Sequence, residues 1–524
     1  MKTQTISILL LALAALPATA QETYQDTKLV ENELNGTARY VGMGGAMEAL
    51  GADISTISTN PAGIGLFRKN QVTVSGGLVT QGGDATTSPS FNGIQLNYSG
   101  QKTHASFDQI GFVWAHRVSS RSYLNFGFSY HKSRNFDQIL NAGGKLDNAS
   151  QNKLSAIKYA LGVGDNAWNA VDANYQEMFQ TADGKDMEYR NATQYLYGQY
   201  QHGYIGEYDF NFSGNINDRV YLGITLGIHD VNYRSNSIYS EDLEGNAYSL
   251  AEELLKIDGT GYDVKLGAIF RPFAYSPFRI GVYVNSPVFY SLTQYGTSGI
   301  GLGTLYSDGS TTDEGTYSEN SASLDYKVNT PWKFGISLGH TIGNSLALGA
   351  TYEYSDYSTI DNRYIDGGYY DAYYGQWYDS SSSDNAMNHN TKQTLKGVSL
   401  LKLGAEYKFT PKWALRVGYN YQSPIFKSEG FRDGSIESQG VAYATSTDFT
   451  NWKATNRFTC GLGYQYKGFT VDLAYQYTQT DGDFYPFMSY YASESEPQEM
   501  NNQVSSTPVS FKRSQVLLTL GYRF

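Results

Sequence analysis

Two cationic side chains are the first candidates for binding chemistry. Lys402 and Arg416 lie on neighbouring segments in which large apolar residues alternate with small or polar ones, and both occupy the small-or-polar positions. Proteins commonly bind carboxylates through ammonium and guanidinium groups. We therefore predict that Lys402 and Arg416 bind the carboxylate of a ligand. The alternative is that they pair with other charges of the same alternation, such as Glu406 and Asp472, or with the segment that precedes the first strand.

Two histidines are the second candidates. His131 and His229 occupy the corresponding positions of their own segments. A pair of imidazoles could ligate a haem iron. One further segment separates them, however, and the usual spacing between strands places them roughly 10 Å apart. We therefore predict neither a metal site nor a bound cofactor.

The sequence carries only weak signs of catalysis. Gly335–Gly339 matches the G-x-S-x-G pattern, but a nucleophile elbow needs a strand–turn–helix context and this match lies within an alternating run. Gly42-x-Gly44 lacks the third glycine of a dinucleotide-binding fingerprint. The single cysteine, Cys460, cannot form an internal disulfide. We predict that the protein is not an enzyme.

The segments that position these residues are predicted to be β-strands. Of 524 residues only 17% are charged, against about 25% in typical soluble domains, while Gly (55) and Tyr (46) are frequent. In residues 220–228, for example, Val, Leu and Ile alternate with Tyr, Gly and Thr. A period of two places all the bulky side chains on one face of a sheet. The segments are long enough to cross a membrane as tilted strands of about 9–11 residues.

Fourteen such segments, joined by alternately long and short connections, are typical of a bacterial outer-membrane barrel. Aromatic residues at both edges of the apolar face are expected where rings lie at headgroup level. We predict an all-β, 14-stranded antiparallel transmembrane barrel with short helices in long extracellular loops. A soluble sandwich, which also alternates, is the alternative. The predicted strands are 70–80, 105–116, 121–132, 202–213, 219–231, 261–271, 278–290, 331–341, 345–357, 398–409, 413–422, 456–466, 469–479 and 512–523.

The N-terminus is predicted to be a secretory signal. Lys2 precedes a short apolar stretch, and Ala18-Thr19-Ala20 forms a small-x-small cleavage site. We assign residues 1–20 to the signal peptide, 21–69 to an N-terminal hatch that plugs the barrel, and 70–524 to the barrel itself. The net charge of −12, without a basic cluster, argues against a nucleic-acid partner.

The hatch segment carries the most specific local motif. It contains Gly36-Thr37-Ala38-Arg39, Gly42-Met43-Gly44-Gly45-Ala46 and Asn60-Pro61-Ala62-Gly63, and the last strand ends in Phe524. These features resemble the FadL/TodX family of outer-membrane transporters for hydrophobic compounds, in particular its Bacteroidetes branch, whose members are often labelled hemin receptors. The terminal aromatic resembles the signal that barrel-assembly machinery recognises.

The resemblance implies a hatch-plugged barrel that has no open water channel. An apolar molecule would be captured at the extracellular loops, reach a site in the lumen, and leave sideways through an opening in the wall. In that family the Asn-Pro-Ala stretch lies near the opening, so the resemblance implies a gating role for Asn60, Pro61 and Ala62. A plain structural turn is the alternative, because proline fixes φ and asparagine favours local hydrogen bonds.

The long connections contain further patterns. Trp168 and Tyr175 belong to a run with apolar residues every three or four positions, which predicts a helix. We predict that both bind an apolar ligand, the alternative being that the helix packs on the barrel rim. Ser249-x-x-Glu252 is interpreted as a helix capping box. The Tyr-, Asp-, Gly- and Ser-rich residues 361–385 are predicted to be solvated or weakly ordered.

Together these observations predict passive uptake of hydrophobic small molecules, such as long-chain fatty acids, across the outer membrane of a Gram-negative bacterium of the Bacteroidetes. The expected partners are the apolar ligand, outer-membrane lipid and lipopolysaccharide, and barrel-assembly machinery, with the protein acting as a monomer. The alternatives are a surface interaction protein that uses its Tyr-rich loops, a hemin-binding receptor, and an outer-membrane hydrolase.

Overall fold

The computed structural model describes residues 22–31, 33–82, 101–305, 311–312 and 317–524. The predicted signal peptide, residues 1–20, lies outside the described residues. Within the described part of the chain, none of the helices combines the length and apolarity needed to cross a membrane.

Strands make up most of the described chain. Numbered along the sequence, they are β1 (Gln71–Gly82), β2 (Thr103–Arg117), β3 (Tyr123–Asn135), β4 (Gln138–Ala149), β5 (Ala192–Ile216), β6 (Val220–Leu243), β7 (Ala247–Phe270), β8 (Arg279–Asn285), β9 (Phe289–Leu305), β10 (Thr311–Thr312), β11 (Tyr317–Asn329), β12 (Lys333–Ile342), β13 (Leu346–Asp356), β14 (Asp361–Asp371), β15 (Gln376–Ser383), β16 (Gly397–Lys408), β17 (Trp413–Gln422), β18 (Phe449–Tyr466), β19 (Phe469–Tyr485) and β20 (Thr507–Arg523).

The helices are short and lie inside the barrel or in the long connections. The α-helices are α1 (Thr23–Val30), α2 (Ala38–Gly42), α3 (Gln151–Ala160), α4 (Ala170–Phe179), α5 (Asn385–Thr394) and α6 (Gln439–Ala442). Short 3-10 helices cover Ile54–Ser58, Pro61–Leu66, Asp165–Ala167, Tyr357–Thr359 and Gln498–Met500.

Fourteen of the strands close into one antiparallel barrel, which confirms the predicted fold class. Around the wall they follow the order β1, β2, β3, β5, β6, β7, β8, β12, β13, β16, β17, β18, β19 and β20. β20 pairs with β1 from Arg523–Gln71 to Lys512–Gly82, and this pairing closes the circle. The other six strands extend the wall on the side of the long connections. A closed barrel leaves no strand edge unpaired, as hydrocarbon surroundings require.

The alternation of side chains sorts the barrel into an apolar outside and a polar inside. On β6, Leu222 and Leu226 point outward and are each 50% exposed, whereas Thr225 between them is fully buried. Outward residues of the other barrel strands form the same apolar band, which includes Leu473 and Cys460. Such a band matches the hydrocarbon layer of a bilayer.

Residues 22–69, which we call the hatch, occupy the inside of the barrel. α2 contacts β17, β18, β19 and β20, while the 3-10 helix Pro61–Leu66 contacts β3, β5, β6 and β7 on the opposite wall. Apolar hatch residues are buried, among them Val41, Met47 and Ile64. The N-terminal helix α1 lies nearer the long connections, where Tyr24 stacks on Phe426 at 4.9 Å between ring centroids.

One local interpretation of the long connections differs from the structure. The Ser249–Glu252 capping box is wrong, because these residues lie within β7, which pairs with β6 on one side and β9 on the other. Strand pairing on both sides outweighs a four-residue helix signal. Residues 361–383 form the β14–β15 hairpin, whose exposed tip carries Tyr373 and Tyr374.

Candidate functional site

A cavity of about 130 Å³ lies between α1 and the barrel wall. Its apolar lining comes from Tyr24, Phe136, Phe426, Phe449, Trp452 and Phe511. Its charged lining comes from Lys28 and four arginines, Arg134, Arg432, Arg457 and Arg513, together with the carboxylates of Glu31, Glu33, Asp137 and Asp448. This combination suits a molecule with an apolar body and an anionic head group, because aromatic rings bury alkyl surface and guanidinium groups bind carboxylates.

Three of these four arginines already have carboxylate partners in the hatch. Arg134 lies 2.9 Å from Glu31, Arg513 pairs with Glu33, and Arg432 lies 3.5 Å from Glu22. These ion pairs hold the hatch in place. The hatch carboxylates therefore largely neutralise the positive charge of the three arginines.

Arg457 differs from the other three arginines that line this cavity. It is 6% exposed, and its guanidinium donates a hydrogen bond of 2.9 Å to the Asn420 side-chain oxygen. In the part of the chain that the structure describes, no carboxylate oxygen lies within 4.0 Å of it. Arg457 also lines a second cavity, of about 60 Å³, deeper in the lumen. It is therefore a cation positioned between two cavities with capacity for an anionic ligand.

Lys402 and Arg416 point into the lumen but are paired within the protein. The Lys402 ammonium lies 2.6 Å from Glu48 of the hatch, and Arg416 lies 2.6 Å from both Glu406 and Asp472. Such pairing within the protein is what the alternative interpretation of these two residues predicts. Ligand binding by Lys402 and Arg416 stays a prediction.

Among the described strands, the pairing of β2 with β3 is interrupted beside these cavities. β2 and β3 pair from Arg117–Tyr123 up to Gln109–His131, where the pairing stops, although both strands continue. We call residues 103–108 of β2 and 132–135 of β3 the seam. Each strand has one extra residue at this point: Asp108 is skipped in the pairing of β1 with β2, and Ser133 in that of β3 with β5. Because β-bulges bend and twist a strand, two of them facing each other separate β2 from β3.

The hatch satisfies the backbone that the seam leaves unpaired. The Glu33 N–H donates to the Ser133 carbonyl at 2.9 Å. The Asn35 side chain donates to the Lys132 carbonyl and to the Asp108 carboxylate, each at 3.0 Å. Asn35 and Ser133 also line the 60 Å³ cavity. The hatch segment 33–35 therefore stands between the lumen and the seam.

The hatch turn, Asn60–Ala62, is buried against another part of the wall. The Asn60 side chain accepts a hydrogen bond from the Ala62 N–H at 3.2 Å and donates one to the Glu48 carbonyl at 3.0 Å. The turn approaches the wall at Gly223 and Gly267, where a Cβ atom would lie 2.5 Å and 2.0 Å from hatch atoms. The turn is therefore a close-packed anchor, and its gating role stays a prediction.

Trp168 and Tyr175 lie in the helical cover over the barrel mouth. Tyr175 is fully buried with Val171 and Ile300, and its hydroxyl lies 3.3 Å from the Gln151 side chain. Trp168 packs beside Tyr159. These contacts are those expected of rim packing, and ligand binding by the two residues stays a prediction.

The structure brings His131 and His229 closer together than their strand positions predicted. Both imidazoles point at the same carboxylate oxygen of Glu207, at 3.4 Å and 4.0 Å respectively. Glu207 lies on β5, directly between the two histidine strands β3 and β6.

Sequence reasoning missed Arg457 and Asn35 for different reasons. Arg457 shares the inward alternation of β18, so the same periodicity that selected Arg416 could have found it. Asn35 lies in an irregular segment, and only the tertiary structure shows that its side chain faces the seam.

Comparisons with known proteins bear on the fold. Residues 282–459 match the model of a family described as putative outer membrane beta-barrel porin, MtrB/PioB. The chain is similar to the crystal structure of a Pseudomonas aeruginosa FadL homologue, with a TM-score of 0.50, 14% sequence identity, and coverage of 94% of this chain and 99% of that chain. The Ralstonia pickettii toluene transporter TbuX gives a TM-score of 0.49 at 13% identity, with coverage of 94% and 99%. No curated protein matches the chain.

The chain is thus similar in fold to the Pseudomonas aeruginosa FadL homologue. The match to the Pseudomonas aeruginosa homologue at a TM-score of 0.50 supports the closed fourteen-stranded wall, and at 14% identity it bears on the fold alone. The Bacteroidetes origin and the hemin label stay predictions.

Proposed function

We propose that this protein is a passive transporter, not an enzyme, that carries hydrophobic small molecules across the outer membrane of a Gram-negative bacterium. Long-chain fatty acids are the proposed substrate class. The apolar band around the barrel supports a membrane location. The resemblance to hydrophobic-compound transporters supports the type of cargo, and the aromatic and cationic lining of the lumenal cavity supports a cargo that carries a carboxylate.

In this proposal the solute enters the lumen at the 130 Å³ cavity. Its alkyl chain packs on the aromatic lining, where burial stabilises each CH₂ group by about 0.8 kcal/mol. Arg457 binds the carboxylate, because it is the lumenal guanidinium that lines both cavities without a carboxylate within 4.0 Å among the described residues. The role first predicted for Lys402 and Arg416 thereby passes to a different residue of the same inward alternation.

The observation that carries the proposal is the seam. It adjoins both cavities on the inside, through Ser133 and Arg134. On the outside, Phe107 is 48% exposed and its ring stacks on Tyr130 at 5.9 Å between centroids. Among the described residues, the hydrogen bonds that hold the unpaired backbone of the seam are those of the hatch segment 33–35, so a small movement of the hatch would open a sideways exit into the membrane. The hatch turn, Asn60–Ala62, would hold the rest of the hatch fixed during that movement.

Locking the seam tests this route. In a Cys460→Ala background, cysteines replace Ser106 and Lys132, which meet across the seam with the Lys132 Nζ atom 3.4 Å from the Ser106 Oγ atom. Because cysteine is shorter than lysine, both thiols are oxidised to disulfides with a short bifunctional thiosulfonate linker. This linker joins the two strands and should reduce uptake of a labelled long-chain fatty acid by cells at least tenfold. A reductant should restore uptake, because the covalent link is the only change.

The matched control is Ile110→Cys with Tyr130→Cys. These two residues are register partners one step below the seam, where β2 and β3 are already hydrogen-bonded. Joining this pair with the same linker should leave uptake unchanged. If the linked seam variant takes up fatty acid as fast as the wild type at equal surface abundance, the lateral route between β2 and β3 is wrong.

A second candidate function is a surface interaction protein. The tip of the β14–β15 hairpin exposes Tyr369, Tyr370, Tyr373, Tyr374 and Trp377. A cluster of exposed aromatic side chains is typical of a binding surface. Deleting residues 367–379 should leave fatty-acid uptake unchanged if transport is the function, and it would abolish adhesion if the hairpin binds a partner.

A further inference from the structure

We propose that the lumen contains a site for one divalent transition-metal ion, held by Glu207, His229 and Asp263, with His131 and Asp209 adjoining it. This inference does not depend on the transport proposal. The sequence predicted no metal site, because His131 and His229 lie on strands separated by a third. The structure shows that the strand between them supplies the carboxylate that joins the two imidazoles.

The register of four neighbouring strands assembles the site. His131 on β3 is paired with Glu207 on β5, and Glu207 is paired with His229 on β6. Asp209 and Asp263 both face Gly227, one on each side. All five side chains point inward, so the alternation of the strands brings them to one patch of the lumenal wall.

The distances fit metal ligation. The His229 Nε2 atom lies 3.3 Å from Oδ1 of Asp263, and the nearest approach of Glu207 to the same imidazole is 4.0 Å. Metal–ligand bonds of about 2.0–2.1 Å in a tetrahedral arrangement place ligand atoms about 3.3–3.4 Å apart. Glu207, His229 and Asp263 each offer one ligand atom, and the three atoms all lie within 4.8 Å of one another.

His229 provides the second, independent observation. Its side chain is only 6% exposed. Within the described ranges of the chain, neither of its ring nitrogens has a hydrogen-bond partner. A buried imidazole without partners is costly, since each unsatisfied polar atom loses its bonds to water. An ion bound at this position would satisfy the nitrogen that faces Asp263.

The buried charge of the patch also favours a divalent cation. Three buried carboxylates, those of Glu207, Asp209 and Asp263, surround a single ammonium group, that of Lys265. With neutral imidazoles the patch therefore carries two uncompensated negative charges. Lys265 lies 2.5 Å from Oε1 of Glu207, whereas both imidazoles face Oε2 of the same carboxylate. Glu207 can thus keep Lys265 on one oxygen and offer the other oxygen to an ion.

The donor set selects the class of metal. Imidazole nitrogen together with carboxylate oxygen suits Zn²⁺ and its neighbours in the first transition row, whereas Ca²⁺ and Mg²⁺ prefer oxygen ligands alone. The 60 Å³ cavity lined by His131 gives the site an internal approach. We therefore expect Zn²⁺ to bind in preference to Ca²⁺.

Metal titration of the purified full-length barrel tests the site. After removal of metals by chelation, Zn²⁺ added to the protein in detergent should bind with a stoichiometry of one by calorimetry, and Ca²⁺ should not compete. His229→Gln should weaken Zn²⁺ binding at least a hundredfold. His202→Gln changes a histidine of β5 that lies outside the patch, and it should bind Zn²⁺ as the wild type does.

X-ray absorption at the zinc edge of the wild-type protein keeps the test independent of how the variants fold. It should show nitrogen and oxygen neighbours at about 2.0–2.1 Å with the outer-shell pattern of imidazole. Zinc without imidazole scattering would overturn the proposal, as would stoichiometric binding that survives in folded His229→Gln. Failure of the wild type to bind Zn²⁺ would likewise overturn the proposal.

Discussion

The hatch turn is positioned by close contact with two glycines of the wall and by hydrogen bonds from the wall. At Gly223 and Gly267 the wall comes so close to Asn60 and Pro61 that no Cβ atom fits. Two side chains of the wall complete the fixation: Asn211 donates to the Pro61 carbonyl at 3.4 Å, and Thr225 donates to the Ile57 carbonyl at 3.0 Å. The anchor therefore depends on residues of the barrel that the hatch motif itself does not reveal.

Adding one methyl group at Gly267 should displace the turn. In Gly267→Ala the new Cβ atom would lie 2.0 Å from the Asn60 side-chain oxygen and 2.9 Å from Pro61. Overpacking of this kind costs about 1–3 kcal/mol, so thermal unfolding in detergent should move to a lower Tm. Gly82→Ala is the control, because no atom of the described residues lies within 4 Å of the added atom. Equal Tm values for the two variants would argue that the turn is not anchored there.

The inward-facing charges show that the orientation of a single side chain can be predicted from the sequence, whereas its pairing partner cannot. Periodicity correctly predicts that Lys402 and Arg416 face the lumen. Their partners include Glu48, which lies in an irregular part of the hatch that periodicity cannot place. Whether an inward cation is available to a ligand therefore depends on the position of the hatch. For Arg457 that position leaves the guanidinium beside a cavity.

Among the elements, the barrel-wall parts of the strands are far more predictable from the sequence than the parts that extend beyond the wall into the long connections. All fourteen wall strands coincide with predicted segments, because burial on one face imposes the period of two over ten or more residues. β5, β6 and β7 nevertheless run to 25, 24 and 24 residues, well beyond the predicted strands. In these extensions pairing with neighbouring strands decides the structure, which is why the helix signal at Ser249 failed.

A buried carboxyl group in the extension of β6 forms a hydrogen bond with the start of helix α3. Glu241, near the outer end of β6, accepts a hydrogen bond from the Gln151 N–H at the start of α3 and another from the Tyr239 hydroxyl, both at 2.7 Å. Burial raises the pKa of Glu241 from its ordinary 4.5 to about 7. Folding therefore favours the protonated acid, and this contribution to stability is present at low pH.

The docking of α3 should consequently weaken as the pH rises from about 4.5 to about 7. Because the folded state holds the proton more tightly than the unfolded state, the loss amounts to at most about 3 kcal/mol across that window. Hydrogen exchange of the amides of residues 151–160, corrected for intrinsic rates, measures it. Glu241→Gln should remove the pH dependence. An unchanged slope in that variant would assign the effect to another group.

At the scale of the whole molecule, the sequence predicts the barrel wall better than the arrangement of the lumen inside it. Strand number, closure and the apolar outside follow from alternation and connection length. The seam depends on two bulges, at Asp108 and Ser133, and neither residue interrupts the local pattern enough to mark a bulge in advance. The cavities depend on how the hatch folds back, which is set by long-range ion pairs such as Arg39–Glu406.

Transport by this protein requires that an apolar carboxylate passes through the lumen of the barrel and does not merely dissolve in the surrounding membrane. Photo-crosslinking with a long-chain fatty acid that carries a diazirine at the end of its alkyl chain distinguishes these two locations. Peptide mapping should find crosslinks at Phe426, Phe449 and Trp452, which line the 130 Å³ cavity. Arg457→Gln should reduce them strongly, because the carboxylate loses its binding partner. Crosslinks confined to outward residues such as Leu222 and Leu473, with the same yield in both proteins, would contradict transport through the barrel.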